Sequence, residues 1–210
     1  MPGSDPVFSL AQQNTVSSDE QELTEVVKRA QEGDEAAFDR LFQTYNIRIC
    51  TYLLRMVGNE EEAHDLAQET FLKAWRALSQ ATHADELRFD SWLYRIATRT
   101  AIDYLRGSQF RWLRRIQQVV ETNPAARLPG PEDRIAEMEH ITQALAQVTP
   151  KYRACLLLQI EVGFSQKEIA QLLGSNEKSV SVYVSRGREQ FRRAYLHLAG
   201  NQASHGREQQ

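Results

Sequence analysis

Apolar residues recur at three- and four-residue spacing along most of this 210-residue chain, the period of a helix that buries one face. A first helix starts near Ser18, with Asp19 and Glu20 at its positive end, carries Leu23, Val26, Val27 and Ala30, and stops at Gly33. Asp34 is placed to cap a second, in which Ala37, Phe38, Leu41, Phe42 and Tyr45 repeat and the pattern continues through Ile49, Tyr52, Leu53 and Met56 to Gly58. Asn59 and the triplet Glu60, Glu61 and Glu62 open a third, whose apolar face is Leu66, Ala67, Thr70, Phe71, Ala74 and Leu78. Residues 79–90 carry no strong pattern and read as a loop. A fourth helix buries Leu93, Ile96, Ala97, Thr100, Ala101 and Tyr104 and ends at Gly107. Residues 108–131 begin with a basic helical continuation and then hold Pro124, Pro129, Gly130 and Pro131, which rule against a stable helix. Beyond them, Ile135, Met138, Ile141 and Leu145 mark another helix. Thr149 and Pro150 open the next, which buries Ala154, Leu157 and Leu158 up to Gly163. The pattern predicts an all-α protein: two small helical domains, over 19–107 and 132–198, joined by a flexible linker over 108–131. Disordered tails are expected at 1–18 and 199–210.

The last part of the second domain has a more specific form. Gln166 to Leu173 reads as a short helix with Ile169, Ala170, Leu172 and Leu173 as its buried side. Gly174 ends it, because glycine tolerates the left-handed conformation of a helix stop. Asn176 then caps a second helix that buries Val180, Val184 and Val182. A short helix, a small residue at the packing point and a glycine turn are a helix-turn-helix signature. Its second helix would lie in a DNA major groove, where Lys178, Arg186, Arg188, Arg192 and Arg193 supply cations for phosphates. An ordinary helical hairpin with a solvated basic face has the same local pattern.

Charge changes the picture because of where it sits. The net charge is only −3, which does not by itself mark a general nucleic-acid binder. Yet Asp19 to Glu69 holds 13 acids against 5 bases, whereas Arg88, Arg95, Arg99, Arg106, Arg111, Arg114 and Arg115 face only Asp90 and Asp103. An acidic head with two separate basic patches suggests two DNA contacts and a protein partner for the head. On the third helix Asp65, Glu69, Leu72 and Arg76 form a stripe apart from the apolar face, flanked by Gln68 and Trp75. A leucine and a tryptophan among charges suit the centre of a protein interface, though a salt-bridged surface with the indole turned inward fits the same spacing. On the fourth helix Arg95, Arg99 and Arg106 fall within about 40° of one another at 100° per residue, with Trp92 beside them. A basic row next to an aromatic suits a nucleic-acid backbone with an unpaired base stacked on the ring.

Other chemistry is thin. Cys50 and Cys155 stand far apart on apolar faces with no metal-ligand spacing, so free buried thiols are expected and no metal. The first residues have neither a basic start nor a sustained apolar run, so they do not read as a signal peptide, and no stretch is long and apolar enough to insert in a membrane. A cytoplasmic protein is expected. His64, His83, His140 and His197 are isolated. No nucleophile–base pair or phosphate loop is present, so neither catalytic residues nor a cofactor are expected.

With these motifs in this order, residues 20–198 resemble bacterial RNA polymerase sigma factors of the sigma-70 family, extracytoplasmic-function type. The stretches that carry the resemblance are DLAQETFLKAWRAL (65–78), FDSWLYRIATRTAIDYLRG (89–107) and FSQKEIAQLLGSNEKSVSVYVSRGRE (164–189). The resemblance implies a factor that binds core RNA polymerase and directs promoter recognition and transcription initiation. Asp65, Gln68, Glu69, Leu72, Trp75 and Arg76 stand where the family docks on the clamp helices of the polymerase largest subunit. Trp92, Arg95, Arg99, Asp103 and Arg106 stand where it engages the −10 element, and the loop 79–90 where an unpaired base is held. Lys178, Ser179, Ser181, Val182, Tyr183, Arg186 and Arg188 lie in the helix that reads the −35 element. The polymerase flap is a further implied contact, and the family often has an anti-sigma factor as partner. This chain departs from the family at Ser181 and Tyr183, where base-facing cations are usual. It departs again at Arg99, where the family usually has Asn, and at Gly187, where the family commonly has Ala between two arginines. Two alternatives stay open on the residues alone. One is a helix-turn-helix regulator that never touches polymerase, and the other is a sigma-like protein-interaction module.

Overall fold

The helix on which the others are assembled is α2 (Glu35–Val57), which buries Ala37, Leu41, Tyr45, Ile49, Tyr52, Leu53 and Met56. In the computed structural model residues 21–78, 88–116 and 132–205 are described. The side chains of 108–116, 132–136, 138, 139 and 199–205 are not described, so the expected roles of Arg111, Arg114, Arg115, Ile135 and Met138 lie outside what is described. So do the tail at 1–18, most of the loop 79–90 with His83, the linker past Ile116, and residues 206–210.

All elements among the described residues are helices. A first helix, α1 (21–31), lays Val26, Val27 and Ala30 into the core and turns at Gly33, where φ is 92°. Asp34 then caps α2 by accepting from the Ala37 N–H at 3.1 Å. Next comes α3 (Glu60–Leu78), whose buried positions are mostly small, Ala63, Ala67, Thr70 and Ala74 beside Leu66, Phe71 and Leu78. Small side chains let its axis approach α2 closely. The fourth helix, α4 (Phe89–Ile116), is tied to α2 by a buried hydrogen bond of 2.8 Å between the Tyr52 and Thr98 hydroxyls. It does not stop at Gly107 as expected. That glycine keeps helical geometry, and the basic helical continuation expected after it forms one helix with α4 as far as Ile116.

The second unit holds α5 (Glu132–Ala146), α6 (Pro150–Ile160), α7 (Gln166–Leu173) and α8 (Glu177–His205). Here α8 continues through Gly200, past Leu198 where fraying was expected. Helix α6 buries six consecutive residues, Arg153 to Leu158, because it is packed on several sides. Its first turn meets α8 at Gly187, where an added Cβ would lie 3.0 Å from the Tyr152 carbonyl oxygen.

The two units are in direct contact, which the reading of two domains on a flexible linker did not foresee. Arg153, only 3% exposed, donates from Nη1 to the Met56 carbonyl in the last turn of α2. Its Nη2 donates to the Ala146 carbonyl at 2.7 Å and the Val148 carbonyl at 3.0 Å, at and just past the end of α5. Helix C-termini carry unpaired carbonyls and partial negative charge, so two of them together can hold a buried cation. Burial lowers the guanidinium to about 10, which leaves it protonated at neutral pH. Around this contact Tyr94 meets the Phe164 ring edge-on at 5.6 Å. Arg55 pairs with Glu161 at 2.9 Å, and Arg88 with Glu168 at 2.5 Å.

Replacing Arg153 by Met keeps the apolar stem and leaves three carbonyls without their donor. A loss of about 3 kcal/mol in urea unfolding is expected. Arg153→Lys, which keeps the charge but not the fork, should fall between the two.

Candidate protein and nucleic-acid interfaces

On α3 the residues expected to form a docking stripe do lie together. Asp65, Gln68, Glu69, Leu72 and Arg76 are exposed and Trp75 is half-buried, so the indole is neither fully outside nor in the core. Leu72 is 55% exposed, a large apolar side chain left in water. The stripe borders an open cavity of about 430 Å³ lined by Gln68, Phe71, Leu72 and Trp75 of α3 and by Glu35, Phe38, Asp39 and Phe42 of α2. Trp75 packs on Phe38 at 4.8 Å, and Phe42 on Phe71 at 4.8 Å. The result is an aromatic floor with carboxylates at its rim, a surface that suits an apolar and basic helix. Glu69 also pairs with Lys73 at 2.7 Å, and Lys73 reaches the Thr100 hydroxyl at 3.1 Å.

The α2 half of this cavity was missed because Phe38 and Phe42 read as core. The signal was there. Ala37 to Tyr45 puts apolar residues over about 140° of arc, wider than the roughly 100° stripe that a one-sided helix needs. The surplus is the part that faces the cavity, with Phe42 left 37% exposed.

On α4, Arg95, Arg99, Asp103 and Arg106 are exposed and Trp92 is half-buried, leaning on Phe89 at 5.7 Å. The expected row therefore exists, with Asp103 and Arg106 at 4.0 Å within it. Two cations at its start are engaged by the second unit. Arg95 donates to the Gln171 carbonyl at 3.1 Å, and Arg88 bridges Asp90 and Glu168.

The helix-turn-helix forms as expected and with one addition. Ser165 and Glu168 make a reciprocal capping box at the start of α7, and Gly174 ends it at φ 59°. Asn176 accepts from the Ser179 N–H at 2.8 Å and so caps α8. Val180 and Val184 are buried, but Val182 is 45% exposed and lies on the outer face. Lys178, Ser181, Arg186 and Arg188 are also exposed. Arg186 and Arg188 are not on one face. Two residues along a helix is a rotation of about 200°, and Arg188 lines a cavity with Arg55, Ile141, Leu157, Ile160 and Phe191 instead. Ser179, Tyr183 and Arg186 share the side that faces α6, and Tyr183 is stacked on Tyr152 at 5.5 Å.

Geometry thus defines a class: a helical protein with a helix-turn-helix, a second basic helix face, and an open groove with an aromatic floor and an acidic rim. Comparison with known proteins makes it specific. Sigma-70 region 2 matches residues 41–111, and Sigma-70 region 4 matches residues 138–191. The ECF RNA polymerase sigma factor BldN of Streptomyces coelicolor is 31% identical over 166 residues, covering 78% of this chain, which spans 62% of that relative's length. The RNA polymerase sigma-H factor of Pseudomonas aeruginosa is 32% identical over 181 residues, covering 81% of this chain and 92% of its own. Among solved structures, CnrH bound to the cytosolic domain of CnrY shares the fold with a TM-score of 0.61 at 23% identity, covering 80% of this chain and 94% of its own. This chain belongs to the sigma-70 family of bacterial RNA polymerase sigma factors, in the extracytoplasmic-function group.

The two carboxylates that bridge the units titrate differently. Glu168 is held below the usual range, first by the Ser165 N–H and hydroxyl and then by Arg88. Glu161 is raised, because burial outweighs the pull of Arg55. A lowered carboxylate adds stability that is present above its unfolded pKa and lost as pH falls through the folded one. Glu168→Gln keeps a side chain that can complete the capping box but loses the charge that Arg88 pairs with, so it should cost about 1 kcal/mol or less at pH 7. The difference from wild type should shrink below about pH 4. Urea midpoints across that range check both statements.

Proposed function

We propose that the α2–α3 groove, with Asp65, Gln68, Glu69, Leu72, Trp75 and Arg76, docks on the clamp helices of the largest subunit of core RNA polymerase. The observation that carries this reading is Leu72, left 55% exposed beside an aromatic floor with acidic groups at its rim. Trp92, Arg95, Arg99, Asp103 and Arg106 then face the −10 element, and the exposed side of α8 faces the −35 element. Cations on both surfaces neutralise phosphates, and the indole of Trp92 offers a ring on which an unpaired base can stack. No bond is made or broken by this chain in that role. A cytoplasmic place of action follows from it. Among the described residues no helix is long and apolar enough to cross a membrane. An anti-sigma factor is a further proposed partner. One solved neighbour, the sigma factor RpoE of Bartonella quintana, at a TM-score of 0.57 and 19% identity, was captured with the anti-sigma factor NepR.

On this reading the contact between the units competes with promoter binding. The Arg95 N–H that donates to Gln171 is not available to a phosphate, and Glu168 occupies Arg88. A phosphate contact through that N–H requires the bond to Gln171 to be exchanged. An operator-binding regulator would leave the α2–α3 groove without a use.

Transcription with purified core polymerase on fragments of the protein's own upstream region tests the proposal. Defined transcripts should appear only with this protein present. Leu72→Ala with Trp75→Ala should cut them by at least tenfold while the thermal midpoint of the variant stays within a few degrees. A folded wild-type protein that fails to bind core polymerase would sink the reading.

A further inference from the structure

The recognition helix lacks cations where its family usually carries them, at Ser181 and Tyr183. The structure shows what the tyrosine does instead. Its ring is stacked on Tyr152 of α6, with centroids 5.5 Å apart and planes within 23°. Lys151 lies over the Tyr183 ring, with Nζ 4.5 Å from the centroid, and donates to the Tyr183 hydroxyl at 3.2 Å. On the other ring Arg186 donates to the Tyr152 hydroxyl at 3.2 Å. Two stacked phenols thus each hold one cation. Lys151 and Arg186 are both exposed, while the two rings are half-buried.

This bracket depends on how closely α6 and α8 approach. They meet at Gly187, where a Cβ would press on the Tyr152 carbonyl at 3.0 Å. Glycine at 187 therefore lets the first turn of α6 sit against α8, one turn from Tyr183. The replacement of Ala by Gly and the loss of the cation at 183 are two parts of one local arrangement.

We propose that Lys151, carried by α6 and aimed by the Tyr183 ring, supplies with Arg186 the backbone-phosphate contacts on this side of the recognition helix. The inference rests on the reading that α8 binds promoter DNA. A cation resting on an aromatic face loses less freedom on meeting a phosphate than one moving in water. Ser179 lies on the same side as Tyr183 and Arg186, so a strand following this edge meets a hydroxyl, an ammonium and a guanidinium. Lys178 and Val182, on the outer face, are left for the base edges.

The experiment is binding of the holoenzyme, core polymerase with this full chain, to a duplex fragment of its own upstream region, followed across a salt series. Each phosphate contact contributes about 0.9 to the slope of log K against log salt. Lys151→Ala should lower that slope by about one and weaken binding several-fold at low salt, with the thermal midpoint unchanged. Tyr183→Ala, which takes away the ring beneath the ammonium, should give a similar loss, and the double variant little more than either alone. A Lys151→Ala protein with wild-type slope, when Lys178→Ala or Arg186→Ala shows a reduced one, overturns the proposal and leaves the DNA reading standing. If no substitution on α8 alters binding, the DNA reading of α8 fails and the proposal falls with it.

Discussion

A single buried guanidinium ties this fold together. Arg153 is almost fully enclosed, and the acceptors that meet it are main-chain carbonyls at the ends of α2 and α5. A buried ion left to itself costs several kcal/mol. Here the cost is offset by two helix C-termini, each of which has unpaired carbonyls that need a donor. The match is incomplete, since Nε is buried without a partner. The dependence is mutual: α6 can bury Arg153 only where α2 and α5 end together, and those two ends can be buried only because the guanidinium satisfies them. The first unit and the second are joined through that requirement.

The contacts around it are of a different kind. Arg55–Glu161 and Arg88–Glu168 are partly exposed pairs, and pairs of that sort contribute about 1 kcal/mol or less. They fix how the units face each other more than how firmly they hold. Tyr94 against Phe164, both buried, belongs to an apolar core that is continuous from the first unit into the second. On the proposed function, the basic row on α4 has one use inside the molecule, through Arg95 and Gln171, and another outside it.

Local pattern made most of the fold legible. The limits of α7, the glycine stop at Gly174 and the Asn176 cap follow from residues within one or two turns of each other, as does the stripe from Asp65 to Arg76. What was not legible depends on partners far along the chain. Arg153 reads as an ordinary charged residue until Met56, nearly a hundred positions earlier, is placed beside it. Arg88 and Arg95 read as unopposed cations, because Glu168 and Gln171 belong to another unit. Gly107 read as a stop because glycine often is one, but a glycine stop usually takes a left-handed turn, and the glycines of that kind among the described residues are Gly33, Gly58, Gly163 and Gly174. Arg186 and Arg188 were grouped by charge, although a helix places residues two apart on nearly opposite sides.

The recognition helix shows why departures from a family pattern are better read together than singly. Glycine within a helix costs up to about 1 kcal/mol relative to alanine, so Gly187 by itself looks like a small defect in α8. Tyr183 by itself looks like a lost DNA contact. In the structure the first permits the close approach of Tyr152, and the second uses it. The stacked rings contribute about 0.5–1.5 kcal/mol beyond their burial, enough to offset the glycine. On the proposal made above, a cation for this edge comes from α6, where Lys151 lies over the Tyr183 ring. Taken together, the two departures leave a basic edge shared by two helices, with Lys151 on α6 and Arg186 on α8.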